Sequence, residues 1–257
     1  MRTPFSCDSD LGKGFGSRFE ILPALDQSTR DQVFTIRHEV YCEDLGFEPL
    51  REDRHETDEY DRHSVHCLLR TADESHTLVG CTRLVLARPE DPAHPFPFES
   101  ACRANLDQHT IDSRALPRHK IAEVSRLAVR QMYRRRRGEK HTEMMLRNRD
   151  FGSSASPRFP FIPVGLYLGT MALAEQCGIE KVFVITEPRL AAHLSRLGFS
   201  IVQVGPPIEH RGTRVPSMMD VEQSKEGLRS LIRPMWELIR GGVMAGYEGR
   251  RAAMVAT

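Results

Sequence analysis

Apolar and polar positions follow two periods along the first half of the chain. Short apolar or alternating segments predict strands at residues 19–22, 65–70, 77–86 and 121–129. Between the first two, apolar residues at 33, 36, 40 and 41 have helical spacing, with Ser28 or Thr29 as the N-cap and Gly46 as the stop. Residues 88–119 are rich in proline and predict a long loop with a short helix at 99–106.

The second half of the chain alternates helical and strand patterns more regularly. Helices are predicted at residues 163–177, 188–197 and 224–240, and strands at 181–186, 199–204 and 215–221. Gly178 and Gly198 mark two of the helix ends, and Pro188 opens the helix between them. This order predicts an α/β protein with a mixed central sheet flanked by helices.

Composition narrows the function classes. The chain has 257 residues, 40% of them apolar, and a net charge of +1, which gives no global case for nucleic-acid binding. Apolar runs are too short to cross a bilayer, so no integral membrane contact is expected, and residues 1–8 do not resemble a signal peptide. The six cysteines lack zinc-site spacing, so we expect no metal. Because we see no export signal, we expect the thiols to be reduced and the protein to be cytoplasmic.

The segment Glu123-Val-Ser-Arg-Leu-Ala-Val carries the strongest sign of chemistry. Its strand period predicts that Glu123 and Ser125 point to one side and Val124 and Arg126 to the other. A carboxylate and a guanidinium within an apolar strand are costly unless each has a partner. This cost favours a functional site, and a buried structural bridge from Glu123 to Arg37, Arg83 or Arg126 is the alternative.

Four motifs together resemble one group of enzymes. They are Glu123-x-Ser125-Arg126, Arg37-x-x-x-Tyr41 with Phe47, Asp58-x-x-Asp61, and Gly80-Cys-Thr-Arg83-Leu. The set is similar to acyl-homoserine-lactone (autoinducer) synthases. It is closer to N-acyl amino acid synthases and to acyltransferases associated with exosortase/PEP-CTERM systems. The resemblance spans roughly residues 30–222.

The resemblance implies a GNAT (acyl-CoA N-acyltransferase) fold over residues 19–222, after a flexible leader at 1–18 and before a C-terminal helix and tail at 223–257. It implies transfer of a fatty acyl chain from a pantetheine thioester to the amine of an amino acid or similar small acceptor. Acyl carrier protein is the expected donor partner, with acyl-coenzyme A as the alternative, and no bound cofactor is expected.

The resemblance also implies roles for individual residues. Glu123, Ser125 and Arg126 are candidate catalytic residues, and Glu123 is the group expected to orient or deprotonate the amine. An ion-pair network around the acceptor pocket is expected from Arg37, Tyr41, Phe47, Asp58, Asp61 and Arg83. Donor binding is assigned to Leu127, Ala128, Val129 and the basic run Arg134, Arg135, Arg136 and Arg137 with Gly138, which could grip a phosphate and an acidic carrier protein.

Several alternatives stay open at this point. An autoinducer synthase would use S-adenosylmethionine, but Phe47 stands where that family usually has tryptophan. A GNAT-like module that binds without turnover is a third possibility. Residues 51–62, including Asp58 and Asp61, would without the motif be interpreted as a solvated charged loop. Residues 134–137 have a solvated basic turn as their alternative.

Overall fold

The computed structural model describes residues 11–102, 116–134, 152–153, 156–157 and 160–255. Its first elements are α1 (Leu11–Gly16), β1 (Phe19–Pro23), α2 (Gln27–Arg37), β2 (Ser64–Thr71), β3 (Leu78–Leu86), α3 (Pro97–Ala101), β4 (Ile121–Val129) and α4 (Gln131–Arg134). A π-helical turn, His38–Asp44, extends α2, and 3₁₀ turns at Glu59–His63 and Arg118–Lys120 precede β2 and β4.

The remaining elements contain the long helices. They are β5 (Gly152–Ser153), β6 (Ser156–Pro157), α5 (Phe161–Gln176), β7 (Lys181–Thr186), α6 (Pro188–Leu197), β8 (Ile201–Gln203), β9 (Ile208–Glu209), β10 (Thr213–Asp220), α7 (Val221–Gly227) and α8 (Arg233–Val255). The predicted strands and the helices before and after β7 are therefore found within a few residues of their expected places.

The central sheet has the order β1-β2-β3-β4-β7-β10-β8, with β9 paired to β10. Neighbouring strands are antiparallel except β4 and β7, which run parallel. This parallel pairing covers only Ile121 to Val124 against Lys181 to Val184. Beyond Val124 the two strands are not paired, and the sheet divides into a fork. The prediction of a mixed sheet flanked by helices is confirmed.

The two faces of the sheet bury different side chains. On β2, Cys67 and Leu69 belong to the main core with α5 and α8, whereas Leu68 belongs to a cluster that includes Val33 and Ile36 of α2. Since alternate residues of a strand point to opposite faces, α2 lies on one face and α5 on the other. Trp236 of α8 is buried in the main core.

Four predictions about the bounds of elements differ from the structure. Leu11 and Phe15 of α1 are buried in the main core, so the predicted flexible leader is wrong from residue 11 onward, and residues 1–10 lie outside the described part. The predicted helix at 224–240 is two helices, α7 and α8. Helix α8 continues to Val255 where a loose tail was predicted. Helix α2 is capped by Asp26, whose side chain accepts the Thr29 N–H.

Gly198 ends α6 in a conformation that an L-residue adopts only under strain. Its φ is 100°, and a Cβ there would lie 2.0 Å from the carbonyl oxygen of Gly227. We expect Gly198→Ala to lower the free energy of unfolding by more than the roughly 1–3 kcal/mol that a strained φ alone costs. Gly178→Ala is the matched control, because its φ is 68° but nothing lies within 4 Å of the added carbon. Equal urea-denaturation midpoints for the two variants would contradict this expectation.

Candidate active site

A cavity of about 400 Å³ occupies the fork between β4 and β7. The diverging residues of β4, from Val124 to Leu127, form one wall, and Val184 to Glu187 form the other. Residues of the turn after α2 and of the β9–β10 hairpin complete the mouth, including Phe47, Glu48 and Arg211. On the β7 side, the backbone of β4 after Val124 has no strand partner, so backbone groups there can contact a ligand, apart from the Leu127 carbonyl, which accepts the Tyr41 hydroxyl.

A β-bulge changes the expected orientation of Arg126. Its φ is 52°, and the β3–β4 register shifts between the Arg83–Ser125 and Cys81–Ala128 pairs. The side chains of Ser125 and Arg126 consequently both reach the Asp58–Arg83 pair, because Arg83 donates to Ser125 and Arg126 donates to Asp58. The strict alternation predicted for residues 123–126 is therefore wrong after Ser125, since a bulge adds one residue to the period.

Glu123 lies at the base of the fork, where β4 still pairs with Phe183 of β7. Its side chain lines the cavity but is almost fully buried. One carboxylate oxygen accepts the backbone N–H of Phe98 at 2.7 Å. Burial raises the pKa of Glu123 to about 8, and the Phe98 hydrogen bond and the charges of Arg83 and Arg126 only partly offset it. A carboxyl group with such a pKa exchanges protons near neutral pH.

Arg37 is the most deeply buried cation of the site. Its Nε donates to Glu56 at 2.5 Å, and its terminal nitrogens donate to both oxygens of Asp61 at 2.7 and 3.1 Å. Burial opposes ionisation of Asp61, but Arg37 and Arg83 outweigh it and hold the pKa of that carboxyl well below its usual range. The same balance, dominated by Arg37, lowers the pKa of Glu56.

Arg83 and Arg126 extend this network to the cavity wall. Arg83 donates to Asp58 at 2.5 Å and to Asp61 at 2.9 Å. Arg126 contacts Asp58 and Glu56, each at 3.1 Å, and Glu48 at 3.4 Å. The three arginines thus pair with carboxylates other than Glu123, so the structural-bridge alternative for Glu123 does not describe this arrangement of the described residues.

Two aromatic residues lie at the cavity beside Arg126 and Arg211. Tyr41 donates its hydroxyl to the Leu127 carbonyl at 2.9 Å, and the Arg126 guanidinium lies 5.6 Å from the centre of its ring. Burial raises the pKa of Tyr41 to about 12. Phe47 lies at the cavity mouth under the guanidinium of Arg211, 4.8 Å from the ring centre. These contacts lock the turn after α2 onto β4 and the β9–β10 hairpin.

The structure brings together the acceptor-side residues predicted from the sequence. The charged run at 51–62 is only partly solvated: Glu56, Asp58 and Asp61 turn inward to the arginines, whereas Glu52, Asp53 and Glu59 are exposed. Sequence reasoning missed Glu56, Glu48 and the Phe98 amide. The motifs contain three arginines and three carboxylates, so no imbalance of charge in the sequence pointed to Glu56.

The residues predicted to bind the donor differ in their placement. Leu127, Val129 and Arg134 line the cavity, whereas the Ala128 side chain packs in the α2 cluster on the other face, so a donor could contact this residue only through its backbone. Arg134 pairs with Asp44 at 2.6 Å and is nearly buried, so it is not a freely exposed surface charge. Arg135, Arg136, Arg137 and Gly138 lie outside the described residues.

The described residues contain neither a metal-binding cluster nor a membrane-spanning helix. In the part of the chain that the structure describes, no group of three or more His, Cys, Asp or Glu side chains could hold a metal ion. None of the described helices combines the length and apolar character needed to cross a membrane.

Residues 36–143 match the family described as Acetyltransferase (GNAT) domain. Among solved structures, the chain resembles the acyl-homoserine-lactone synthase LasI, with 16% identity, 82% of this chain and 93% of that chain covered, and a TM-score of 0.56. It also resembles FeeM, an N-acyl amino acid synthase from uncultured soil microbes, with 14% identity, coverage of 82% and 95%, and a TM-score of 0.52.

A third similar structure holds ligands. BjaI, a CoA-dependent acyl-homoserine lactone synthase solved with SAM and isopentyl-CoA, is 20% identical, with coverage of 87% and 89% and a TM-score of 0.50. No curated protein sequence matches the chain significantly. These findings confirm the GNAT fold, an acyltransferase domain, and the resemblance to lactone and N-acyl amino acid synthases. The exosortase/PEP-CTERM association stays a prediction.

Proposed function

We propose that this chain, which carries a GNAT acetyltransferase domain, is an N-acyltransferase that moves a fatty acyl chain from a pantetheine thioester to the amine of an amino acid or similar small acceptor. One observation carries the proposal. A buried carboxyl group, Glu123, faces a cavity at the fork of β4 and β7, and its pKa of about 8 suits proton transfer at neutral pH.

The chemistry needs one proton acceptor and one site for developing negative charge. The amine nitrogen attacks the thioester carbonyl carbon, the N–C bond forms, and the C–S bond breaks to release a thiolate, which takes up a proton from protonated Glu123 or from water. Glu123 in its ionised form takes the proton that the amine loses, directly or through a water molecule. Backbone N–H groups of β4 beyond Val124 are candidates to stabilise the oxyanion, because they have no partner on β7.

The lining charges support an acceptor that carries both an amine and a carboxylate. Glu48 and Asp58 offer negative charge at the cavity, and Arg126 and Arg211 offer positive charge. Arg126 and Arg211 both contact Glu48, at 3.4 and 2.8 Å. The amine of a zwitterionic acceptor can pair with these carboxylates, and its carboxylate can pair with these arginines. No buried charge is then left unpaired.

A product assay tests the proposal directly. The purified chain would be given fatty acyl carrier protein or acyl-coenzyme A, together with the twenty amino acids, or with S-adenosylmethionine in a parallel reaction. Mass spectrometry should detect N-acyl amino acids, which should form far more slowly with Glu123→Gln. Acyl-homoserine lactone would instead assign the autoinducer activity that the structures of LasI and BjaI suggest. No product from any acceptor and donor would favour a module that binds without turnover.

The donor prediction rests on the basic run at 134–137. If this run docks an acidic carrier protein, Arg136→Gln with Arg137→Gln should raise the apparent KM for acyl carrier protein several-fold. Transfer from a short acyl-pantetheine should stay nearly unchanged, since charges at an interface rim mainly steer encounter. Salt should weaken the carrier-protein reaction more, with a Debye length of about 8 Å at physiological ionic strength.

Two results would contradict that donor prediction. They are equal salt sensitivity of the two donors and equal use of acyl-coenzyme A. Either would favour a coenzyme-A-dependent enzyme, as BjaI is described. With either donor, the proposed location is the cytoplasm, where acyl thioesters are made.

A further inference from the structure

Glu123 depends on residues that do not line the cavity. The hydrogen bond that it accepts comes from the backbone of Phe98, in the first turn of α3. Helix α3 has only five residues, so its own hydrogen bonds cannot fix its position. The position of this amide must come from the contacts that α3 makes with the rest of the chain.

Arg118 supplies the strongest of those contacts. Its two terminal nitrogens donate to both oxygens of Glu99 at 2.7 and 2.9 Å, and Glu99 in turn accepts the Phe96 N–H at 2.8 Å. Arg118 also donates to the carbonyls of Pro92 and His94, at 3.1 and 3.0 Å. Its guanidinium lies 4.4 Å from the centre of the Phe96 ring. One side chain thereby fixes both the loop before α3 and its first turn.

The Phe98 side chain also helps to hold the Phe98 backbone N–H in position. It stacks on Phe183 with 4.4 Å between ring centres and 6° between planes. Phe183 is the residue of β7 that pairs with Glu123 of β4. Phe98 therefore contacts both strands at the base of the fork, one through its ring and the other through its N–H.

The groups around Glu123 make its ionisation sensitive to this arrangement. Those that act on it electrostatically are Arg83 on β3, Arg126 on β4, Glu99 on α3, Cys102 after α3, and Tyr60 on the 3₁₀ turn. The Phe98 N–H and the two arginines favour the ionised carboxylate, and Glu99 opposes it. Arg118 compensates the charge of Glu99 and holds the Phe98 amide in place, so both of its effects favour ionisation.

We infer that Arg118 and Glu99 form a clamp that positions Glu123 for proton transfer by holding the Phe98 N–H against its carboxylate. Arg118 is a positioning residue in this inference, because it contacts neither the cavity nor a substrate. The inference rests on the proposed function for its catalytic meaning. The geometric part, from Arg118 through α3 to Glu123, can be measured without turnover.

The test uses Arg118→Gln in the full chain, with glutamate carboxyl carbons labelled by ¹³C and the Glu123 signal assigned by its loss in Glu123→Gln. We expect Arg118→Gln to raise the pKa of Glu123 by roughly 0.5–1 unit, because a hydrogen bond to the ionised form is weakened and a like charge is exposed. Hydrogen exchange of the Phe98 amide should become about tenfold faster. The rising limb of kcat/KM against pH should move by the same amount.

Two further variants complete the experiment. Arg118→Lys keeps the positive charge but loses the planar guanidinium that binds both oxygens of Glu99. It should therefore speed hydrogen exchange of the Phe98 amide and change the pKa of Glu123 less than Arg118→Gln does. It replaces Arg118→Gln if that variant does not fold. Arg240→Gln breaks a comparable bidentate pair with Glu175, away from the cavity, and should move neither quantity.

A lower melting temperature with an unchanged Glu123 titration and unchanged Phe98 exchange would overturn the clamp, because Arg118 would then support the fold alone. If the titration and the exchange respond as expected while the wild-type protein transfers no acyl group to any acceptor, the clamp stands and the proposed function fails.

Discussion

Glu123→Gln is expected to slow acyl transfer by about 10²–10⁴-fold, the usual contribution of a general base. The substitution keeps the shape of the side chain and leaves an oxygen to accept the Phe98 N–H, which the carboxylate accepts at 2.7 Å. It removes only the ability to take a proton. In the wild-type enzyme, kcat/KM should rise through about pH 8 as Glu123 ionises, and this limb should vanish in the variant.

The fold should survive this substitution. The pKa of Glu123 is raised by burial from its ordinary 4.5 to about 8, so the folded chain holds this proton more tightly than the unfolded chain does. Its contribution to stability is therefore fully present below about pH 4.5 and is lost as pH rises towards 8. The Gln variant cannot ionise, and its free energy of unfolding at pH 8 should equal or exceed that of the wild type.

Glu48→Gln is the matched control for the catalytic role. Glu48 also lines the cavity, and it contacts Arg126 and Arg211. Its substitution should change the KM for the acceptor and leave the rising limb of the pH profile in place. Turnover of Glu123→Gln near the wild-type rate would exclude a general-base role for Glu123.

Arg83→Ala is expected to cost roughly 3 kcal/mol of unfolding free energy, together with activity, because Asp58 and Asp61 each lose one of their two arginine partners and keep only Arg126 and Arg37, respectively. Arg83 is 1% exposed and donates to Asp58, Asp61 and Ser125. Arg126→Ala should also destabilise the chain, but less. Its side chain is 20% exposed, and Asp58 would keep its bond to Arg83.

The dependence on pH separates this network from simple packing. Arginine partners hold the pKa values of Asp58 and Asp61 below their ordinary value of 3.8, against the effect of burial. Their stabilising contribution is present above that value and is lost as pH falls below it. The difference in stability between the wild type and Arg83→Ala should therefore shrink on acidification below about pH 4.

Arg54→Ala provides the control for an ion pair on the surface. Arg54 pairs with Glu43 at 2.9 Å but is 62% exposed, and such pairs contribute about 1 kcal/mol or less. Chemical denaturation followed by circular dichroism measures the unfolding free energy of the three variants. The loss should be largest for Arg83→Ala, smaller for Arg126→Ala and smallest for Arg54→Ala. Unfolding curves of Arg83→Ala and Arg126→Ala that coincide with the wild type would mean that the network does not stabilise the fold.

Most of the strands, the helices beside β7 and the charged residues predicted to form an ion-pair network could be identified from the amino-acid sequence. Strand β4 and strand β7 follow from local apolar runs, and α6 is bounded by Pro188 and Gly198. Arg37, Asp58, Asp61 and Arg83 were identified by a motif resemblance, and the structure joins them in one network. These features depend on residues close in sequence or on the residue types of a motif, so they can be identified from the sequence.

Contacts between segments that are distant in sequence could be identified only in the folded structure. Glu56 becomes a partner of Arg37 and Arg126 because part of the charged run at 51–62 folds inward, although its pattern is that of a solvated loop. The bulge at Arg126 interrupts the strand period only because β3 and β4 pair with a shifted register. The Phe98 amide reaches Glu123 across 25 positions of sequence. Local periodicity carries no record of such long-range pairings, since each is selected by packing and charge compensation in the folded chain.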